Sequence, residues 1–203
     1  MEPSPVLPLP MTLKTVVLYG SVRSERRGIR AARFVTRQLS ARGHDVTLVD
    51  PLEYELPLLD RMYKEYDAGE APPPMEQLAR FYRSADAFVV VSGEYNHGVP
   101  PALKNLIDHF MNEYFWRPAG IVSYSAGNFG GVRAAVHLRA VLSEVGMVTI
   151  PSQIPVPRVG EAFEEDGTPH DGDWPGRMGR FFDELEWYAR ALARARAEGV
   201  PYD

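Results

Sequence analysis

The chain has 203 residues, 22 of them Lys or Arg and 27 Asp or Glu, for a net charge of −5, and it contains no cysteine. A net negative chain does not attract nucleic-acid backbones as a whole. The missing thiols exclude disulfides, thiolate metal sites and dithiol redox chemistry, and apolar runs such as Ala87–Val91 are too short to span a bilayer. Any redox function therefore needs a cofactor to carry the electrons. The start of the chain, with four prolines before Lys14, lacks the pattern of a secretory signal, so a cytoplasmic address is expected.

No internal repeat is visible. Residues 1–13 read as a tail or an arm packing on a neighbour. Thr15–Tyr19 is a β-branched run with the character of a buried parallel strand. Gly28–Arg42 follows as a helix, with Ile29, Ala32, Val35 and Leu39 on one face and Gly43 as its stop. Asp45–Val49 is a second strand, Glu53–Pro74 is irregular, Met75–Ala85 is a short helix, and Ala87–Ser92 is a third strand. Pro101–Asn112 is a helix with proline in its first turn. Ala119–Tyr124, the helix Gly131–Val145 and the short strand Met147–Ile150 complete the alternation. Val156–Trp174 reads as a surface loop, acidic and solvated rather than metal-binding, and Gly176–Ala197 as a terminal amphipathic helix.

Strands alternating with helices imply an α/β doubly wound sandwich: a five-stranded parallel sheet with helices on both faces and right-handed crossovers. Five strands favour the flavodoxin-like order 2-1-3-4-5 over residues 14–154, with residues 155–203 packed on the same domain. Ligands of such sheets bind beyond the carboxyl ends of the strands where the order reverses, here between the first and third strands. That points to the loops after Tyr19, Ser92 and Tyr124.

The first loop, Gly20–Gly28, offers the hydroxyls of Ser21 and Ser24 and the guanidinium groups of Arg23 and Arg26 at a helix start, a pattern suited to phosphate. The alternative is a polar turn with solvated arginines. It is neither a P-loop nor a G-x-G-x-x-G turn. Arg27, Arg30, Arg33 and Arg37 include a solvated helix face. The second loop, Gly93–Pro101, carries Glu94, Tyr95, Asn96 and His97 on a tightly set backbone that can meet a flat heterocycle by stacking and edge hydrogen bonds. His97 has no partner at metal-ligand spacing, so no metal site is expected. The third loop, Ser125–Gly131, has three glycines and allows close backbone approach to a ligand, or is a flexible turn.

The segments YGSVRSERRGIRAA, LPLLD, ADAFVVVSGEYNHGVPPALKNLIDHF and IVSYSAGNFGGVRAA together resemble the NADPH-dependent FMN reductase family, which includes azo, quinone and chromate reductases. The resemblance implies bound FMN, with NAD(P)H as co-substrate and a small-molecule electron acceptor. It implies FMN-phosphate contacts from Ser21, Arg23 and Arg26, with Gly28 opening the helix. It places Glu94, Tyr95, Asn96 and His97 along the isoalloxazine and ribityl, and Ser125, Gly127, Asn128 and Gly130 at the other edge of the ring. No protein side chain is expected to act as a catalytic acid or base, because the flavin carries the chemistry. The resemblance also implies a homodimer or homotetramer, with the helix after Pro101 in its interface. Many relatives carry Pro where Gly93 stands. The rival reading is a flavodoxin-type electron carrier that does not oxidise NAD(P)H directly. The arginines of the first loop argue against it.

Overall fold

The computed structural model describes residues 12–202. The expected tail therefore lies outside the described residues except for Thr12 and Leu13, and Leu13 is buried, its N–H donating to Nδ1 of His44. Five strands, β1 (Lys14–Tyr19), β2 (Asp45–Val49), β3 (Ala87–Ser92), β4 (Pro118–Tyr124) and β5 (Val148–Val156), form one parallel sheet in the order β2-β1-β3-β4-β5. The central strands β3 and β4 are buried at every position, as a sheet covered on both faces requires.

The period of two along each strand divides the core. Val16 and Leu18 of β1 and Phe88 and Val90 of β3 face α2 (Pro73–Ser84), α3 (Pro101–Asp108) and α4 (Val132–Glu144). Val17, Tyr19, Val89 and Val91 face α1 (Ile29–Ala41) and α6 (Trp174–Glu198). No helix among the described residues is long and apolar enough to cross a membrane.

Two expected boundaries move. The helix from Pro101 stops at Asp108, not Asn112. Beyond it, the His109 carbonyl accepts the Tyr63 N–H, and the chain bends to bury Phe110 and Tyr114 against Tyr82. The fifth strand runs on past Ile150 to Val156, through Pro151 and Pro155. An edge strand tolerates proline because one side of it needs no ladder donor. The irregularity falls where Ala119 pairs with Thr149 but Ile121 pairs with Gln153. Its freed backbone groups find side chains instead: Arg139 donates to the carbonyls of Ile150 and Pro151, and Glu184 accepts the Ser152 N–H.

The larger departure concerns residues 157–173. This segment holds a short helix, α5 (Val159–Ala162), and is docked on α1. Phe163 stacks on Phe34 at 4.8 Å and meets Trp174 at 5.0 Å. The arginines of α1, expected to be a solvated face, clasp it. Arg30 donates to the carbonyls of Gly160 and Phe163, Arg33 to that of Glu165, and Arg37 to the side chains of Asp166 and Thr168. Gly167 sits at φ +88°, and a Cβ there would come within 2.5 Å of the Phe34 backbone nitrogen. The acidic loop is thus a fitted part of the domain, because its aromatic and glycine residues seat it where α1 supplies the donors.

Candidate active site

An open cleft of about 340 Å³ lies beyond the carboxyl ends of β1, β3 and β4. That is within the usual size of small-molecule sites, roughly 300–1,000 Å³. The first loop contributes Ser21, Arg23, Arg26 and Gly28 to its wall, the second Glu94 and Tyr95, and the third Ser125. Parallel pairing of β1 with β3 and of β3 with β4 brings the three loops to one edge although they are far apart in sequence.

The floor is aromatic. Tyr124, at the end of β4, stacks beside Tyr19 with ring centroids 6.3 Å apart, and its hydroxyl donates to that of Tyr19 at 3.5 Å. Burial raises both phenols above their ordinary value, that of Tyr124 well above it, so both stay protonated donors. The Tyr124 ring explains two glycines. A Cβ at Gly28 would lie 2.0 Å from its Cζ, and one at Gly93 would lie 3.1 Å away. A second hydroxyl pair, Ser21 Oγ and Tyr95 Oη at 3.0 Å, ties the first loop to the second.

The arginines of the first loop divide into two kinds. Arg26 is turned inward: its Nη1 donates to the buried Asp50 carboxylate at 2.5 Å and reaches the Ser21 carbonyl at 3.5 Å. The hydrogen bond with Asp50 raises the Arg26 guanidinium above its usual value, so this cation is permanent but already paired. Arg23 and Arg27 are exposed, line the cleft, and make no side-chain hydrogen bond or ion pair among the described residues. The N–H groups of Ser24, Glu25 and Arg26 likewise donate to no protein acceptor there. Two unpaired guanidinium groups beside free amides at the start of α1 form a donor set suited to a phosphate.

The second and third loops are held by each other. The Glu94 carboxylate accepts the N–H groups of Arg133 and Ala134 at 3.0 and 3.2 Å and the Arg133 Nε at 2.8 Å, capping α4 from outside. Burial pushes this carboxyl up, but the bonds from Arg133 and Ala134 outweigh it and leave the Glu94 pKa below its ordinary value. Ser125 Oγ accepts the Gly130 N–H and donates to the Gly127 carbonyl, both at 2.8 Å, closing the third loop on itself.

Not every expected residue faces the cleft. Asn96 and His97 occupy the two central positions of a tight turn closed by Tyr95 and Gly98, with φ of +50° and +68°, and are exposed. Gly127, Asn128 and Gly130 do not line it either, and Gly130 abuts Pro155. Conversely, the cleft wall includes Arg27, Tyr124 and residues 158–161, none of which the sequence reading placed there. The last follow β5 and leave the same sheet edge, so the rule that pointed to the other three loops extends to them.

The profile of the NADPH-dependent FMN reductase family matches residues 13–161. The chain belongs to that family. It is therefore an NAD(P)H-dependent oxidoreductase with FMN as its cofactor. An FMN-dependent NADPH-azoreductase from Staphylococcus aureus is 25% identical over 179 residues, covering 85% of this chain and 93% of the relative. Among solved structures, the flavoenzyme FerB, an NAD(P)H:(acceptor) oxidoreductase from Paracoccus denitrificans, superposes with a TM-score of 0.70 at 23% identity, over 87% of this chain and 99% of that one. An NAD(P)H:quinone oxidoreductase from Methanothermobacter marburgensis gives 0.53 at 17% identity, over 89% and 98%. A flavodoxin variant from Pseudomonas aeruginosa gives 0.52 at 17%, over 89% and 99%. The structural likenesses establish the flavodoxin-like fold, and the family match establishes the cofactor.

Proposed function

We propose that the cleft between β1, β3 and β4 holds FMN and supports a ping-pong reduction of small acceptors by NAD(P)H. The observation that carries this reading is the Arg23 guanidinium, unpaired among the described residues, beside free loop amides at the switch point of a sheet whose family uses FMN. FMN held there would supply two-electron hydride chemistry between NAD(P)H and a quinone, flavin, azo compound or metal oxyanion.

Arg23 and the amides of Ser24–Arg26 bind the phosphate charge, while Ser21 and the Arg26–Asp50 pair fix the shape of the loop that presents them. Tyr95 and the backbone at Gly93 and Glu94 orient the flat ring, and the Ala126 N–H supplies a donor for negative charge at its edge. The phenols of Tyr19 and Tyr124 hold their protons, and their stacked, buried rings fill the space beneath the loop. Asn96, His97 and Asn128 are exposed and stand outside the cleft wall.

A homodimer fits an apolar groove beside the first loop, where Val22, Leu52 and Leu58 are 48%, 46% and 84% exposed next to Pro101 and Ala102 at the start of α3. Light scattering on a sizing column tests that state, and a monomer at micromolar concentration rejects it.

The function is tested by anaerobic titration of the purified, FMN-loaded protein. Bleaching of the flavin absorbance in one two-electron step by NADPH or NADH is the expected result. A protein that cannot be loaded with FMN overturns the site, and a loaded protein that neither nucleotide bleaches favours an electron carrier.

A further inference from the structure

A second cavity, of about 350 Å³, adjoins the cleft on the outer side of α1's first turns. Its wall carries Ser24, Arg26, Arg27, Arg30 and Arg33, and also Glu25 and Glu165. Arg27 belongs to both cavities. Its side chain lies over Gly160, whose ideal Cβ would come 2.8 Å from Arg27 Cδ and 3.2 Å from Nη1, so it forms the partition between them.

The charges of this second cavity are only weakly countered. Arg30 and Arg33 spend hydrogen bonds on the carbonyls of Gly160, Phe163 and Glu165, which fix the guanidinium planes without neutralising them. The one ion pair in the wall, Arg30 to Glu165, is 3.9 Å long, and Glu165 is 89% exposed. The Arg27 side chain makes no hydrogen bond or ion pair among the described residues. A rigid wall of arginines opening beside the cofactor cleft suits a second phosphate group, because arginine forks match phosphate oxygens and a phosphomonoester carries nearly two charges at neutral pH.

We propose that this cavity takes the 2′-phosphate of NADPH, with Arg27 as the residue that selects NADPH over NADH. The inference rests on the proposed reductase function. The two nucleotides differ only in that phosphate, so a site for it affects one and not the other. Glu165 works against the site, and the exposure of its side chain limits that cost.

The test uses the FMN-loaded protein and two fragments, 2′,5′-ADP and 5′-AMP, measured by calorimetry, together with the KM for each dinucleotide. The wild type is expected to bind 2′,5′-ADP roughly tenfold or more tighter than 5′-AMP, as a charge-assisted contact implies. Arg27→Ala should bring the two fragments level and move the ratio of KM for NADH to KM for NADPH toward one, with Arg27→Lys intermediate. Glu165→Gln, which keeps the carbonyl bonded to Arg33, should tighten 2′,5′-ADP alone by a few fold. Equal binding of the two fragments by the wild type, or a preference that survives in Arg27→Ala, overturns the proposal while leaving the reductase reading intact. Failure of both dinucleotides to bleach the flavin overturns both.

Discussion

The first loop and the third loop of the cleft use their polar groups in opposite ways. Around the third loop, polar groups are spent on the protein: Glu94 caps α4, and Ser125 ties its own turn together. Around the first loop, Arg26 is spent on Asp50 and the Ser21 hydroxyl on Tyr95, while Arg23, Arg27 and three amides are left over among the described residues. The difference teaches that a polar residue in a binding loop is a ligand-binding group only where the fold leaves it unpaired. A fully paired one sets the position of the loop.

The strongest way to break this comparison is to disturb the floor common to both loops. Gly28→Ala forces a Cβ into the Tyr124 ring. We expect a loss of about 1–3 kcal/mol in denaturant unfolding, as for other overpacked sites, together with loss of bound FMN. Pairing it with Tyr124→Ala should cost less than the sum of the two.

The two arginine roles separate next. Among the described residues, Arg26→Ala leaves the buried Asp50 carboxylate with the Leu52 N–H as its one remaining donor and should destabilise the protein by about 1–3 kcal/mol. Arg23→Ala should change stability by less than about 0.5 kcal/mol yet weaken FMN roughly tenfold or more. Fluorescence titration with FMN and with riboflavin checks the assignment: only FMN should respond to Arg23, and an equal loss for both ligands would place Arg23 elsewhere.

Glu94 sharpens the other side. Its folded pKa is depressed, so its contribution to stability is complete above the ordinary carboxyl value of 4.5 and is lost as pH falls through the lower folded value. Glu94→Gln should remove that acid-side slope from a plot of stability against pH, and a slope identical to the wild type would show that the cap is not formed in solution. The smallest effect belongs to Arg37→Ala. Arg37 and Asp166 are both more than half exposed, so thermal unfolding should move by no more than the 0–1 kcal/mol typical of surface pairs.

The sheet order, all five strands and the three loops that converge on the cleft were legible in the sequence, because strand and helix periodicity are local and a doubly wound sheet puts its ligand at one predictable edge. The errors lay where the partner was remote. The strand that passes Pro151 needs Arg139 and Glu184 to satisfy its bulge. The α1 arginines looked solvated because the carbonyls they bind lie about 130 residues away.

The sequence by itself determined the fold class, the family and the sheet edge on which the cleft opens, all of which follow from short-range pattern and motif. Only the tertiary structure decided which arginine is paired with Asp50, which are free, and that residues 158–161 close the fourth side of the cleft. Charge type is written in the chain, but whether a charge is available to a ligand depends on partners that only long-range packing brings within hydrogen-bond distance.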